Sequence, residues 1–368
     1  MTGNPKTSAI RVPALDLPMS PYVSRDSRSA VAETLQRGFE PQEPYSRESI
    51  GAIRAAIYDG LQRSVDTLLE LYPVSIRRSN IAGVPVSIVE PLNAQSQHDH
   101  LLIEMHPGGY VVGAGFGLLE AIPIAFLTGM KVVAVEYRLA PEQVFPAPLE
   151  DLQAVYTAVL AENDAKAIGL FGSSGGGLLA AQTIEWFDRA GLPRPGALGI
   201  LASGADARFD GDSRHFWPPS GHGVDPSKDI IAFMMESYFG GVDLNDALVS
   251  PVHSLEILSK FPPTLVLTST RAHDLSSAVF THGQLVRAGV CAELHVWDGM
   301  PHNFHLQPEI SEARQALGVV AEFFKTHLAA KGPGRPRRAS STGDNLDSDL
   351  LSARTRGPAA GATRTPRE

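Results

Sequence analysis

From Val84 to Leu328, short apolar runs rich in β-branched residues alternate with longer stretches whose apolar positions recur at helical spacing. The short runs predict strands at Val84–Glu90, Leu101–His106, Lys131–Tyr137, Ala167–Phe171, Ala197–Ala202, Thr264–Ser269 and Glu293–Trp297. The longer ones predict helices at Phe116–Thr128, Leu149–Glu162, Gly175–Arg189, Ser277–Ala288 and Ser311–His327. Such alternation predicts an α/β fold with a mostly parallel central sheet flanked by helices. No internal repeat is present. Two stretches fall outside the rhythm: Ser46–Tyr72, which reads as an amphipathic helix, and Arg208–Asn245. Together they suit a helical cap over a site, or else an ordinary helical appendage.

Composition narrows the picture. At 43% hydrophobic and 19% charged, the 368 residues supply ample core for one large α/β domain with extensions. The net charge of −9 argues against nucleic acid as a partner, because phosphate binding needs a concentrated basic surface. Cys291 is the only cysteine, so an intrachain disulfide is excluded; its apolar surroundings predict an inert core or strand residue. The opening residues lack a continuous apolar signal segment, and the apolar runs are too interrupted to span a bilayer. The expectation is a soluble cytoplasmic protein with no membrane or nucleic-acid partner; a homodimer is open. From Lys331 the chain turns rich in Gly, Pro, Ser and Arg and is expected to be disordered. The expected layout is an N-terminal extension contributing to the cap (1–75), a catalytic domain (76–330) with a cap insertion around 208–245, and a tail (331–368).

The chemistry enters after the strand Ala167–Phe171, where Gly172-Ser173-Ser174-Gly175-Gly176-Gly177 leads straight into a helical stretch. A strand-to-helix turn of this kind holds a nucleophile in a strained conformation, and the residues two before and two after it must be small. Gly172 and Gly176 meet that demand for Ser174, whereas Ser173 would have Phe171 as its neighbour. A glycine loop that binds phosphate is the alternative, but neither the lysine of a P-loop nor GxGxxG spacing is present. Leu101–Met105 runs into His106-Pro107-Gly108-Gly109-Tyr110. The amides of Gly108 and Gly109, joined by that of Gly175, form a candidate oxyanion hole. Late in the chain, Asp298-Gly299-Met300-Pro301-His302 places His302 on a loop after the last strand, as general base; His305 is its nearest rival.

These segments resemble the bacterial hormone-sensitive-lipase-like family of α/β-hydrolase esterases. The HGGG loop appears as His106-Pro107-Gly108-Gly109, and the GDSAGG elbow as Gly172 to Gly177. The YRLAPE strand end appears as Tyr137-Arg138-Leu139-Ala140-Pro141-Glu142. Phe145 to Asp151 and the His302 loop also match, so that the resemblance covers about residues 80–328. It implies the α/β-hydrolase fold with a helical cap, a Ser-His-acid mechanism without metal or other cofactor, and activity on short or medium acyl esters. Pro262 to Phe304 is similar to members described as ε-lactone hydrolases. Pro107 replaces the first glycine of the loop, Ser173 replaces the elbow Asp, and the family's acid aligns with Ala272. Asp274, two residues on, is the candidate replacement, since i and i+2 share a side of an extended segment. A helix-capping role for Asp274 is the alternative, and Asp298 is a weaker substitute.

The sequence thus predicts a serine carboxylic-ester hydrolase acting on an ester or lactone, with Ser174, His302 and Asp274 as catalytic residues. Tyr110, Phe216, Trp217 and Met300, large and apolar beside the motif loops or in the expected cap, are candidate substrate walls. An amidase and a non-catalytic small-molecule receptor on the same scaffold are the alternatives.

Overall fold

The computed structural model describes residues 16–37, 46–92, 100–217 and 230–328. The expected tail and the middle of the expected cap insertion lie outside the described residues. Eight strands form one sheet: β1 (Val74–Ile81), β2 (Val84–Pro91), β3 (Leu101–Met105), β4 (Lys131–Val135), β5 (Ile168–Ser173), β6 (Ala197–Leu201), β7 (Thr264–Arg271) and β8 (Ala292–Pro301). Their spatial order is β1-β2-β4-β3-β5-β6-β7-β8. β2 runs antiparallel to both β1 and β4, and every other pairing is parallel.

β3, β5 and β6 are buried at every position, as strands covered on both faces must be. On one face lie α3 (Leu118–Thr128) and α10 (Ser311–Leu328), which build a core with Leu102, Phe171, Leu265 and Phe324. On the other lie α4 (Ala147–Leu160), α5 (Gly175–Arg189) and α9 (Leu275–Arg287), around Ile103, Leu170, Ile200 and Val266. Each such side chain taken from water contributes about 1.5–3 kcal/mol. Of the remaining helices, α1 (Arg28–Arg37) adds Val31 to the first core and α8 (Leu255–Leu258) adds Ile257 and Leu258 to the second, while α2 (Ile50–Leu71) joins both, through Ile50 to the second and through Val65 and Leu68 to the first.

The sequence periodicity missed β1, an edge strand whose central Arg77 and Arg78 break the alternation while keeping the outer edge polar. It also ended the last strand too soon: β8 continues to Pro301, so the tip of the sheet reaches the histidine loop. Cys291 is exposed just before β8 rather than buried, correcting the core assignment. No helix among the described residues is long and apolar enough to cross a membrane.

Candidate active site

The C-terminal ends of β3, β5, β7 and β8 converge, as the parallel pairing of neighbouring strands requires. β5 delivers Ser174 at the first turn of α5 with φ 54° and ψ −120°, a left-handed conformation outside the range comfortable for a side chain. Its amide donates to Leu201 O at 2.9 Å and its carbonyl accepts from Gly177 and Leu178, which together pin the strained residue. The close approach explains the glycines: a Cβ on Gly176 would fall 1.9 Å from Met105 O. Ser174 keeps partial exposure while its neighbours in the turn are buried.

His302 Nε2 lies 3.1 Å from Ser174 Oγ, and its Nδ1 lies 2.6 Å from Asp274 Oδ1. Thr268 donates to the other carboxylate oxygen of Asp274 at 2.6 Å. Burial alone would push the Asp274 carboxyl up; the charge and hydrogen bond of His302, with His273 and Thr268, outweigh it and hold the group below its usual range. An ionised Asp274 therefore accepts from Nδ1–H, which leaves the Nε2 lone pair facing the serine hydroxyl. Asp274 occupies the N-cap position of α9, yet its side chain makes no capping bond. The path from Ala272 to Asp274 follows an irregularity in the β7–β8 register between Ser269 and Arg271. Asp298 is engaged elsewhere, bonded to Ser20 Oγ and Thr270 Oγ1. His305 is buried and reaches Ser173 Oγ at 2.8 Å rather than Ser174.

The loop after β3 is a tight turn in which Gly108 O accepts from the amides of Val111 and Val112. A Cβ on Gly175 would lie 3.3 Å from Gly109 N, so these two backbone segments face one another beside the serine. Among the described residues, no protein acceptor takes the amides of Gly108, Gly109 or Gly175. His106 fixes the loop: its ring stacks on Tyr137 at 4.0 Å, its Nδ1 bonds Pro107 O at 2.7 Å, and Tyr137 Oη donates to His106 O at 2.7 Å. Burial holds the His106 imidazole below the usual histidine range, favouring the neutral ring.

Two of the expected substrate walls are core residues. Met300 is fully buried in the cluster that includes Val23 and Val31, because β8 runs through it and the N-terminal segment covers that end of the strand. Tyr110 is 1% exposed, stacked on Tyr238 at 4.2 Å, with its ring edge 3.2 Å from where a Gly175 Cβ would stand. It packs beside Gly175 as part of the core. Phe216 and Trp217 end the short helix α6 (Asp212–Phe216), where Phe216 is largely exposed and Arg271 lies 5.5 Å above the Trp217 ring. That helix is tied to the turn that carries Asp274, Ser213 Oγ donating to His273 O at 2.8 Å.

Two further contacts had no signal in the sequence. Arg54 of α2 donates to Val111 O at 2.7 Å and Ala140 O at 2.6 Å and forms a two-pronged pair with Glu142, strapping the helix to the loops that follow β3 and β4. Met234, on α7 (Ile230–Phe239), lies so close to Gly109 that a Cβ there would meet its Sδ at 2.1 Å. Only contact between segments distant in sequence reveals either one.

The chain matches the α/β-hydrolase fold family over residues 102–306. An acetyl-hydrolase of Streptomyces hygroscopicus is 29% identical over 286 residues, covering 74% of this chain and 89% of the relative. An esterase of Acinetobacter venetianus is 27% identical over 274 residues, covering 72% and 88%. Among solved structures, esterase E25 superposes with a TM-score of 0.76 at 28% identity, covering 87% of this chain and 99% of that one. An esterase from the bacterial hormone-sensitive lipase family gives a TM-score of 0.69 at 27% identity, covering 83% and 99%. With the fold, the motif loops and these relatives in agreement, the chain belongs to the α/β-hydrolase fold family as a carboxylic ester hydrolase of the hormone-sensitive-lipase-like group.

Proposed function

We propose that this chain hydrolyses short-chain carboxylic esters, acetyl to butyryl in scale, through an acyl-enzyme formed on Ser174. The observation that carries the mechanism is the relay from Ser174 Oγ to His302 Nε2 at 3.1 Å and from Nδ1 to Asp274 at 2.6 Å. In this reading Ser174 attacks the ester carbonyl as His302 takes its proton, and the alcohol leaves with that proton. Water, deprotonated by the same imidazole, then releases the acid. The amides of Gly108, Gly109 and Gly175 stabilise the oxyanion of each tetrahedral intermediate; removing one such donor typically costs about 3–4 kcal/mol of barrier.

The short-acyl preference draws support from Met234, seated against Gly109, and from the Tyr110–Tyr238 stack behind the turn. Both leave little depth beside the oxyanion glycines for a long acyl chain. A relative named as an acetyl-hydrolase agrees in direction. The test is kcat/KM of the full chain on p-nitrophenyl acetate, butyrate, octanoate and decanoate, with a lactone and an anilide as comparison substrates. A serine-reactive phosphonate should label the wild type and spare Ser174→Ala. A maximum at acetate or butyrate is expected. A maximum at octanoate or longer overturns the acyl-size reading, and absence of hydrolysis and labelling in folded protein overturns the mechanism.

A further inference from the structure

The turn that supplies Asp274 also carries an imidazole that ester hydrolysis does not use. His273 is 5% exposed, and its ring lies 4.2 Å from that of His302, centroid to centroid, tilted by 46°. Among the described residues neither of its ring nitrogens has a hydrogen-bond partner, although His106, His302 and His305 all do. One ligand atom each from His273, Asp274 and His302 can be chosen so that all three lie within 4.8 Å of one another. Two imidazoles and a carboxylate are a ligand set that zinc accepts. Bonds of about 2.0–2.1 Å to a tetrahedral ion place neighbouring ligand atoms about 3.4 Å apart. The widest gap must therefore close by little more than an ångström, within reach of ring rotation.

We propose that His273, Asp274 and His302 form a binding site for a divalent transition-metal ion of the zinc type, and that an ion held there switches the hydrolase off. The binding half stands on geometry alone; the inhibitory half rests on the function proposed above. The surroundings are those of a supported site. Thr268 fixes one oxygen of Asp274 and leaves the other facing His302. The His273 carbonyl is held by Ser213, whose hydroxyl also accepts the Ser276 amide, so the turn presenting both ligands is tethered on two sides. Such outer contacts orient ligands and raise affinity. Inhibition follows whichever nitrogen of His302 binds. Coordination at Nε2 occupies the lone pair that would accept the Ser174 proton. Coordination at Nδ1 displaces the single ring proton from its bond with Asp274 to Nε2, which then has no lone pair to accept the Ser174 proton. Neither form can act as the base.

The experiment has an arm that needs no turnover. Zinc chloride is titrated calorimetrically into full-length Ser174→Ala, alone and combined with His273→Phe or His273→Gln, each checked for folding by circular dichroism. Uptake by Ser174→Ala, weakened at least about tenfold in the His273 variants, is expected. Cobalt(II) added to the wild type should develop the visible absorption of a four-coordinate ion, a reading that needs no variant. In the second arm, zinc should abolish p-nitrophenyl acetate hydrolysis and a chelator should restore it. The His273 variants, normalised to their own metal-free rates, should need at least about ten times more zinc. The exposed Glu293, near His295 at 3.2 Å and His327 at 3.7 Å, supplies a control: His327→Gln should leave the inhibition midpoint unchanged. No zinc uptake and no cobalt spectrum overturn the site, whether or not the wild type hydrolyses esters. Equal inhibition of the wild type and the His273 variants overturns it as well, assigning the effect to His302 alone.

Discussion

Asp274 combines a helix-cap position with contacts that point away from the helix. It stands where a helix cap stands, at the start of α9, but its carboxylate turns back toward Thr268 and His302. Asp274→Asn keeps the side-chain shape and an oxygen for Thr268 and removes no capping bond, so the protein should still fold, with a melting temperature lowered only by the weakened contact to His302. The substitution should nevertheless lower kcat by about 10² to 10⁴, because a neutral amide neither fixes the imidazole tautomer nor stabilises the imidazolium. Steady-state turnover on p-nitrophenyl acetate, with melting curves as control, decides between the roles; near-native turnover would return Asp274 to capping. The paired serines give a second contrast. Ser174→Ala should remove at least about 10⁴ of the rate. Ser173→Ala should keep most of it but cost about 1–3 kcal/mol of stability, since Glu120 Oε1 loses the buried hydroxyl that donates to it at 2.5 Å. Equal loss of turnover in two folded variants would refute the assignment. At this scale spacing pointed to residues that the structure brings together: Ser174, read from its small flanks, and Asp274, read from the i, i+2 relation, both lie within hydrogen-bond reach of His302. It misled at Met300, because the loop proposed to carry that residue is in fact the end of a strand.

Among the elements, those with strong periodicity were readable almost to the residue; α5 begins at Gly175 and ends at Arg189, as its apolar spacing predicts. The elements that shape the site from above were legible only as exceptions to the rhythm, because their role depends on what they touch. α2 is the clearest case. Its Arg54 is polar on an amphipathic helix, which predicts a solvated face, yet it satisfies two backbone carbonyls, those of Val111 after β3 and Ala140 after β4. Arg54→Ala should lower kcat by about tenfold, more than it changes KM, since each charged hydrogen bond is worth about 1.5–3 kcal/mol and the loop must hold its amides in place for the transition state. Arg54→Lys should rescue only part of this, as an ammonium cannot reproduce the fork. Loss of melting temperature without loss of kcat would make the strap purely structural. On α7, Met234→Ala should open space beside Gly109 and shift the ratio of octanoate to butyrate hydrolysis by about tenfold or more toward the longer acyl chain. An unchanged ratio would place the acyl chain elsewhere.

Across the whole molecule, the sheet that presents the site also buries a line of polar groups beneath it, crossing from β3 through α3 to the nucleophile turn. Glu104 and Glu120 are fully buried, and Glu120 Oε1 receives Ser173 Oγ and lies 3.2 Å from His305 Nε2. Burial first, then the neighbouring charges of Glu120 and Glu136, hold the Glu104 carboxyl well above the usual carboxylate range. Protonated, Glu104 is a donor within reach of Glu120, whose Oε2 otherwise lacks a partner. The stability consequence has a definite sign. Above the ordinary glutamate value of about 4.3, the unfolded chain releases this proton while the folded protein keeps it. Glu104 therefore stabilises the fold fully at low pH, and its contribution is lost as pH rises through the folded value, at up to about 1.4 kcal/mol per pH unit. Glu104→Gln removes the titration while keeping the shape and a donor for Glu120. Its melting temperature relative to the wild type should be close to level near pH 4 and should climb as the pH is raised to 8. Taking the difference between variant and wild type cancels the carboxylates common to both, Asp274 included, whose own contribution runs the opposite way. Melting curves of both proteins across that range are the measurement. A difference that stays flat with pH would mean that Glu104 is ionised in the folded state, with its charge compensated by a group other than Glu120.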